Sequence, residues 1–285
     1  MIDQHLFKLD GAGAIVRRLA VLEVLQAFLI IGQALSLSMV LTILWQGKKL
    51  NWLYLLLFAL CFTGRQLNDW FQDKMLDHYS NQESEKLRQK LLSKVFNEGQ
   101  ALVQKQGTGS LITMALDGID EVRNYIKLIY NKVLTMMIVP VLLFIAMFFV
   151  NWQCALILLI MYPLIVLFMI ILGHAAQDKA IKQFGNFQIL SNNFIDSLRG
   201  IDTLKYLGLS KRYSTSIFHL SENFRRKTMA VLRVAMLSTF ALDFFTTLSI
   251  AVIAVYLGFN LLNGKITLFP ALAILILAPE YFSPI

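Results

Sequence analysis

The sequence predicts an all-α membrane protein in which six transmembrane helices extend into the cytoplasm. Three observations carry that expectation. First, 57% of the 285 residues are hydrophobic and only 15% charged, against about half and a quarter in soluble domains. Second, the apolar residues gather in charge-free runs, 24–47 and 133–177, and from Val234 to Ile285 only Asp243, Lys265 and Glu280 carry charge. Third, short and long connections alternate, and nearly all the basic residues lie beside the long ones.

The six spans read as 21–45, 51–71, 126–150, 152–174, 235–262 and 267–285. Each is close to the roughly 20 residues that cross a hydrocarbon core. The 45-residue run 133–177 is two spans divided at Asn151-Trp152. Gln46-Gly47-Lys48-Lys49 joins the first pair and Asn263-Gly264-Lys265 the last. Residues 1–20 read as an interfacial elbow segment before the membrane domain 21–285. Asp10, Arg17 and Arg18 interrupt their apolar run, and no small-residue cleavage site follows, so they are no secretory signal.

Lys and Arg set the orientation. Residues 1–20 hold three, 65–132 hold ten and 174–233 hold ten, so 23 of 26 lie on one side. Positively charged loops stay inside, which places the N-terminus and both long loops in the cytoplasm. Trp45, Trp52 and Trp152 mark the opposite ends of the spans, as an aromatic belt does. Topology thus accounts for the net charge of +8, and a nucleic-acid partner loses its motive. Membrane lipid is the partner the surface implies. Cys61 and Cys154 both lie in apolar runs, with no metal or disulfide spacing, and read as packing residues. With four histidines (His5, His78, His174 and His219) and no nucleophile–base constellation, no catalytic site, metal site or bound cofactor is expected within this chain.

The long connections, 72–125 and 175–234, are helical. Leu87, Leu91, Leu92, Val95 and Phe96 recur at helical spacing, as do Phe184, Phe187, Leu190, Phe194 and Leu198. Neither connection contains Pro. Each reads as two membrane helices running on past the bilayer and joined at a tip. The first tip is broken at Gly107-Thr108-Gly109, followed by a short apolar stretch from Ser110 to Leu116. Asp117 is expected to N-cap the third span's helix, with Asp120 and Glu121 in its first turn. The second tip falls near Tyr206–Lys211, interrupted at Gly208. Either tip is a plain helix turn or a docking knob for a soluble partner.

Six spans, three tiny outer turns and two helical inner loops resemble the type-1 transmembrane domain of ABC exporters. The strings GTGSLITMALDGID (Gly107–Asp120) and SLRGIDTLKYL (Ser197–Leu207) resemble that family's two coupling segments. The resemblance implies that Gly109, Ser110, Leu111, Asp117, Leu207, Gly208 and Leu209 press on a nucleotide-binding domain. TMAVLRVAMLS (Thr228–Ser238), FALDFFT (Phe240–Thr246), LSIAVIAVYLG (Leu248–Gly258) and LILAPEYFSP (Leu275–Pro284) are similar to the CydD-type subunit. That family has Glu at the place of Asp243. This narrower resemblance implies a bacterial plasma-membrane subunit paired with a CydC-like half as a heterodimer. It implies export of cysteine, glutathione or haem linked to cytochrome bd assembly. The chain contains no G-x-x-x-x-G-K-[ST] phosphate cradle. The nucleotide-binding domain, with its ATP and Mg, is therefore expected outside it, and the chain is expected to be a fragment or a truncated product.

Ionisable groups at membrane depth face a cavity or a partner. Counting ~1.5 Å per residue from the outer turns, Arg65 lies about 21 Å down its helix, Asp69 about 27 Å, Glu280 about 22 Å and Asp243 about 31 Å. Arg65, at nearly the level of Glu280, could pair with it or with Asp243. Alternatively these residues line an inward-open cavity that takes a zwitterionic thiol or a haem propionate. Pro279 frees the Leu275 carbonyl beside Glu280, marking a cavity wall, a hinge or an ordinary kink. Glu23 and His174 come out near the inner interface, where solvation is expected. Besides a thiol exporter, an exporter half for lipid or peptide, a secondary carrier and a non-transporting scaffold stay open. The long helical loops speak against the secondary carrier.

Overall fold

The computed structural model describes residues 12–49, 51–106 and 114–284. Helices α1 (Ala12–Trp45), α2 (Trp52–Gln106), α3 (Ile119–Val150), α4 (Trp152–Arg199), α5 (Ile201–Tyr206), α6 (Ser210–Leu262) and α7 (Leu268–Phe282) account for nearly all of it. The described residues contain no strand. All six expected spans fall on helices. Four of those helices are long and apolar enough to cross a membrane: Ala12–Trp45, Ile119–Val150, Trp152–Gln177 and Lys211–Leu262. The other two fall short of that standard for different reasons. α2 turns polar from Arg65 onward, and α7, at 15 residues, reaches about 22 Å of a roughly 30 Å core.

The outer turns form by ordinary capping chemistry. Gly47 and Gly264 sit at φ 66° and 67°, the left-handed conformation that closes a helix C-terminus at low cost only for glycine. Behind them Lys48 N–H donates to the Ile43 carbonyl and Lys265 N–H to the Asn260 carbonyl. Asn151 serves two helices: its N–H donates to the Met147 carbonyl, ending α3. Its Oδ1 accepts from the N–H groups of Gln153 and Cys154, starting α4.

The chain divides into two compact units, Met1–Leu158 with Ile253–Ile285, and Leu159–Val252. In the first, α1 packs on α2, α3 and α7, and α3 packs on α2 and α7. Near the start of α1, Leu19, Leu76, Tyr79, Ile126 and Tyr130 form a closed apolar cluster with Ala12. The rings of Tyr79 and Tyr130 meet edge to face at 6.0 Å. Higher up α1 and α2 approach closely, for a Cβ on Gly32 would lie 3.0 Å from Cys61 Sγ. Small residues permit such contact where lipid supplies no hydrophobic drive. Cys61 and Cys154 are free and buried, the packing role expected of them.

Helix α1 runs unbroken from Ala12, so the described part of the elbow segment is continuous with the first span. α2 continues unbroken to Gln106, as its Leu and Val spacing predicts. Gly109, Ser110 and Leu111 lie outside the described residues. Asp117 does not cap α3: it sits inside a π-type turn, Met114–Gly118, and Gly118 enters α3 with helical angles and no side-chain cap. Because the chain is already helical there, the first N–H groups of α3 need no side-chain acceptor. Asp120 and Glu121 do occupy its first turn.

In the second unit α4 ends at Arg199 and α5 makes less than two turns. Gly208 turns the chain at φ 68°, its N–H donating to the Lys205 carbonyl. α6 then starts at Ser210. Glu222 accepts from Arg225 and Arg226 one turn on, and the rings of Phe168 and Phe245 meet 4.7 Å apart at a tilt of 46°. The tip is where the Gly208 interruption predicts it. Tyr206 is 91% and Leu207 65% exposed, and Leu209 is exposed too.

Candidate functional site

Polar residues recur at helical spacing on three helices of the first unit. α1 contributes Glu23 and Gln26, α2 contributes Arg65, Asp69, Gln72 and Asp73, and α3 contributes Asn131, Lys132 and Thr135. Steps of three and four put each set on one helix face. With Glu280 of α7, and Ser283 and Pro284 just beyond it, these faces line an open cavity of about 370 Å³. That volume is at the small end of ligand sites, roughly 300–1,000 Å³.

Arg65 and Glu280 form a two-pronged pair across it, Nη1 to Oε1 at 2.7 Å and Nη2 to Oε2 at 3.0 Å. The two side chains remain 24% and 29% exposed, so the pair is neither sealed in protein nor free in solvent. Next to it Gln26 Nε2 donates to Asp69 Oδ1 at 2.8 Å. Asn68 Nδ2 donates to Gln26 Oε1 at 2.7 Å and to the Leu22 carbonyl at 3.0 Å. This chain of amides ties α1 to α2. On the third wall Thr135 Oγ1 lies 2.7 Å from Glu23 Oε1 as its donor. Further along α2 and toward the start of α3, Lys127 reaches Asp77 at 2.9 Å and Asp73 at 3.7 Å.

Of the residues expected to line a substrate cavity, Arg65, Asp69 and Glu280 lie on this pocket. Pro279 does not: its ring is exposed and lies inside α7, where Ser283 N–H still donates to its carbonyl. Asp243 belongs to the unit Leu159–Val252, where it is exposed. Glu23, expected to be solvated, is 2% exposed. Depth along the helix was the wrong guide. α2 and α3 accompany α1 beyond that level, and protein instead of water surrounds the carboxylate. Gln26, Gln72 and Thr135 were not anticipated, although their spacing to Glu23, Arg65, Asp69 and Asn131 was the available signal. Among the described residues no cluster of His, Cys, Asp and Glu could hold a metal ion.

Long apolar helices joined by tight turns define a multi-pass membrane protein. Residues 18–283 match the ABC transporter transmembrane region, and the chain belongs to that family. It is 43% identical over its whole length to half of the glutathione/L-cysteine transport system ATP-binding/permease protein CydC of Bacillus subtilis. Two proteins called CydD in the same transport system are also similar. That of Haemophilus influenzae is 34% identical over 95% of this chain and 48% of the relative. That of Escherichia coli is 37% identical over 80% and 40%. The chain spans about half the length of these relatives.

Proposed function

We propose that the chain is the transmembrane subunit of an ATP-driven exporter, moving cysteine- or glutathione-type thiols out of the cytoplasm in support of cytochrome bd assembly. The observation that carries this reading is the polar cavity lined by the Arg65–Glu280 pair, in a family whose similar members are described as glutathione/L-cysteine transport proteins. A zwitterionic thiol presents an ammonium and a carboxylate, and the cavity lining offers Arg65 to the carboxylate and the carboxylates Glu23 and Asp69 to the ammonium. A substrate carboxylate that draws on Arg65 weakens its hold on Glu280 and so loosens α2 from α7. Binding would then favour the conformation in which the pair is open, the differential affinity that any ligand-driven change requires.

The motor in this reading is a nucleotide-binding domain that binds ATP and Mg. The chain contributes no chemistry to hydrolysis. The exposed apolar tip Tyr206–Leu209, together with the tip that includes Gly109, Ser110 and Leu111, would take that domain's movement into the helices. A second, CydC-like half would complete a heterodimer in the bacterial plasma membrane, with the N-terminus and both tips cytoplasmic. The test is ATP-dependent uptake of labelled cysteine and glutathione into inside-out vesicles carrying the complete transporter. Uptake that depends on ATP and disappears with Glu280→Lys is expected; no ATP-dependent uptake of either thiol would overturn the reading.

A further inference from the structure

Two buried polar atoms of the cavity lack a protein partner among the described residues: Glu23 Oε2 and Gln72 Nε2. Their residues are 2% and 3% exposed, and both line the cavity. Gln33 Oε1 and Asn68 Oδ1 are likewise unpartnered, but their residues do not line it. A buried polar group left without a bond costs about 1–3 kcal/mol, so two of them on side chains that line one cavity point to a bonding partner supplied from it. The pair is chemically directional: a carboxylate oxygen asks for an N–H donor, and an amide nitrogen asks for an acceptor oxygen.

The surrounding charges agree. Of the four carboxylates lining the cavity, Glu280 is held by Arg65 and Asp73 lies 3.7 Å from Lys127. Glu23 and Asp69 are hydrogen-bonded by neutral donors, Thr135 and Gln26, and the lining also carries the cation Lys132. The lining contains no thiol, thioether or aromatic ring, and its apolar members are Ile30, Val139 and Pro284. Nothing in it is suited to recognise sulfur.

We propose that Glu23 and Gln72 form an amino-acid head-group subsite. Glu23 takes the α-ammonium, Gln72 donates to an oxygen of the neighbouring carboxylate, and the sulfur is not read. This rests on the preceding reading of the cavity as the substrate site.

The test is competition against labelled L-cysteine binding to the complete transporter in lipid nanodiscs under reducing conditions. L-Serine and S-methyl-L-cysteine keep the head group and change the sulfur; they are expected to compete about as well as L-cysteine. 3-Mercaptopropionate keeps the thiol without the ammonium, and is expected to be at least about tenfold weaker, the value of one charge-assisted bond. Glu23→Gln should weaken L-cysteine about tenfold and leave 3-mercaptopropionate unchanged. Equal competition by 3-mercaptopropionate, or failure of L-serine, overturns the inference, and neither result depends on a variant folding. Ser283→Cys carrying a bulky thiol label separates the two readings. Binding unaffected by the label removes the cavity as the substrate site, and this inference with it. Binding blocked by the label, but without preference for the ammonium, removes this inference alone.

Discussion

Arg65 and Glu280, 215 residues apart in the chain, are joined by two parallel hydrogen bonds of 2.7 and 3.0 Å. The geometry is the fork-to-fork match of guanidinium and carboxylate that a lysine cannot reproduce. Removing one partner leaves the other charge at membrane depth. Because both side chains are about a quarter exposed, the cost is below that of a sealed pair, about 1–2 kcal/mol. Glu280→Ala and Arg65→Ala are therefore each expected to lower the unfolding temperature in detergent. The double variant should lose less than the sum of the two, and the exchange Arg65→Glu with Glu280→Arg should recover part of the loss. Strict additivity in that cycle would show that the pair contributes nothing.

Thr135 gives Glu23 its one hydroxyl donor, at 2.7 Å. Thr135→Val keeps the shape and removes the bond, leaving a carboxylate 2% exposed with neither oxygen satisfied by that wall. A loss of about 1–3 kcal/mol is expected, read as a lower midpoint in chemical unfolding. Thr135→Ser retains the hydroxyl and should stay near the native value. If both variants lose stability equally, the γ-methyl packing and not the hydrogen bond is what matters.

How far the sequence reveals this arrangement depends on the kind of information each feature needs. A helix is a ruler with a fixed rise, so counting from Asn51 and Lys265 put Arg65 and Glu280 at one depth, and they meet. The outer turns were legible because Gly47, Asn151 and Gly264 carry their own backbone chemistry. The burial of Glu23 was not legible from depth, which says nothing about which neighbours flank a face. Periodicity does carry that information: Glu23 with Gln26, and Arg65 with Asp69 and Gln72, are spaced for a common face. Asp117 was misread because an acidic residue before a helix looks like a cap whether the chain ahead is extended or already turned, as it is at Met114–Gly118.

Gly32 is where α1 and α2 come closest to overpacking, since a Cβ there would stand 3.0 Å from Cys61 Sγ. Gly32→Val is expected to destabilise by about 1–3 kcal/mol, the usual cost of inserting atoms into a filled contact. Because the obstacle is one sulfur atom, Cys61→Ala in the same chain should restore much of the loss. Failure of that rescue would mean that backbone approach, not the thiol, sets the limit. Thermal unfolding of the four combinations distinguishes the two.

The last prediction concerns the tip between α5 and α6. Gly208 holds φ 68°, a conformation that costs a side-chain-bearing residue roughly 1–2 kcal/mol. Tyr206 and Leu207 project beside it with 91% and 65% exposure. An apolar, exposed tip fixed by a glycine turn is suited to seat on another protein surface, and the proposed occupant is the nucleotide-binding domain. Leu209→Cys, and Leu111→Cys on the other tip, should therefore crosslink to cysteines placed on that domain; failure at both removes the docking role. Gly208→Val should change the tip without touching the cavity. Thiol binding is then expected to be unchanged, whereas stimulation of ATP hydrolysis by the thiol should fall. Loss of binding together with stimulation would instead mean that the tip supports the fold as a whole, because only a coupling defect leaves the two measurements separable.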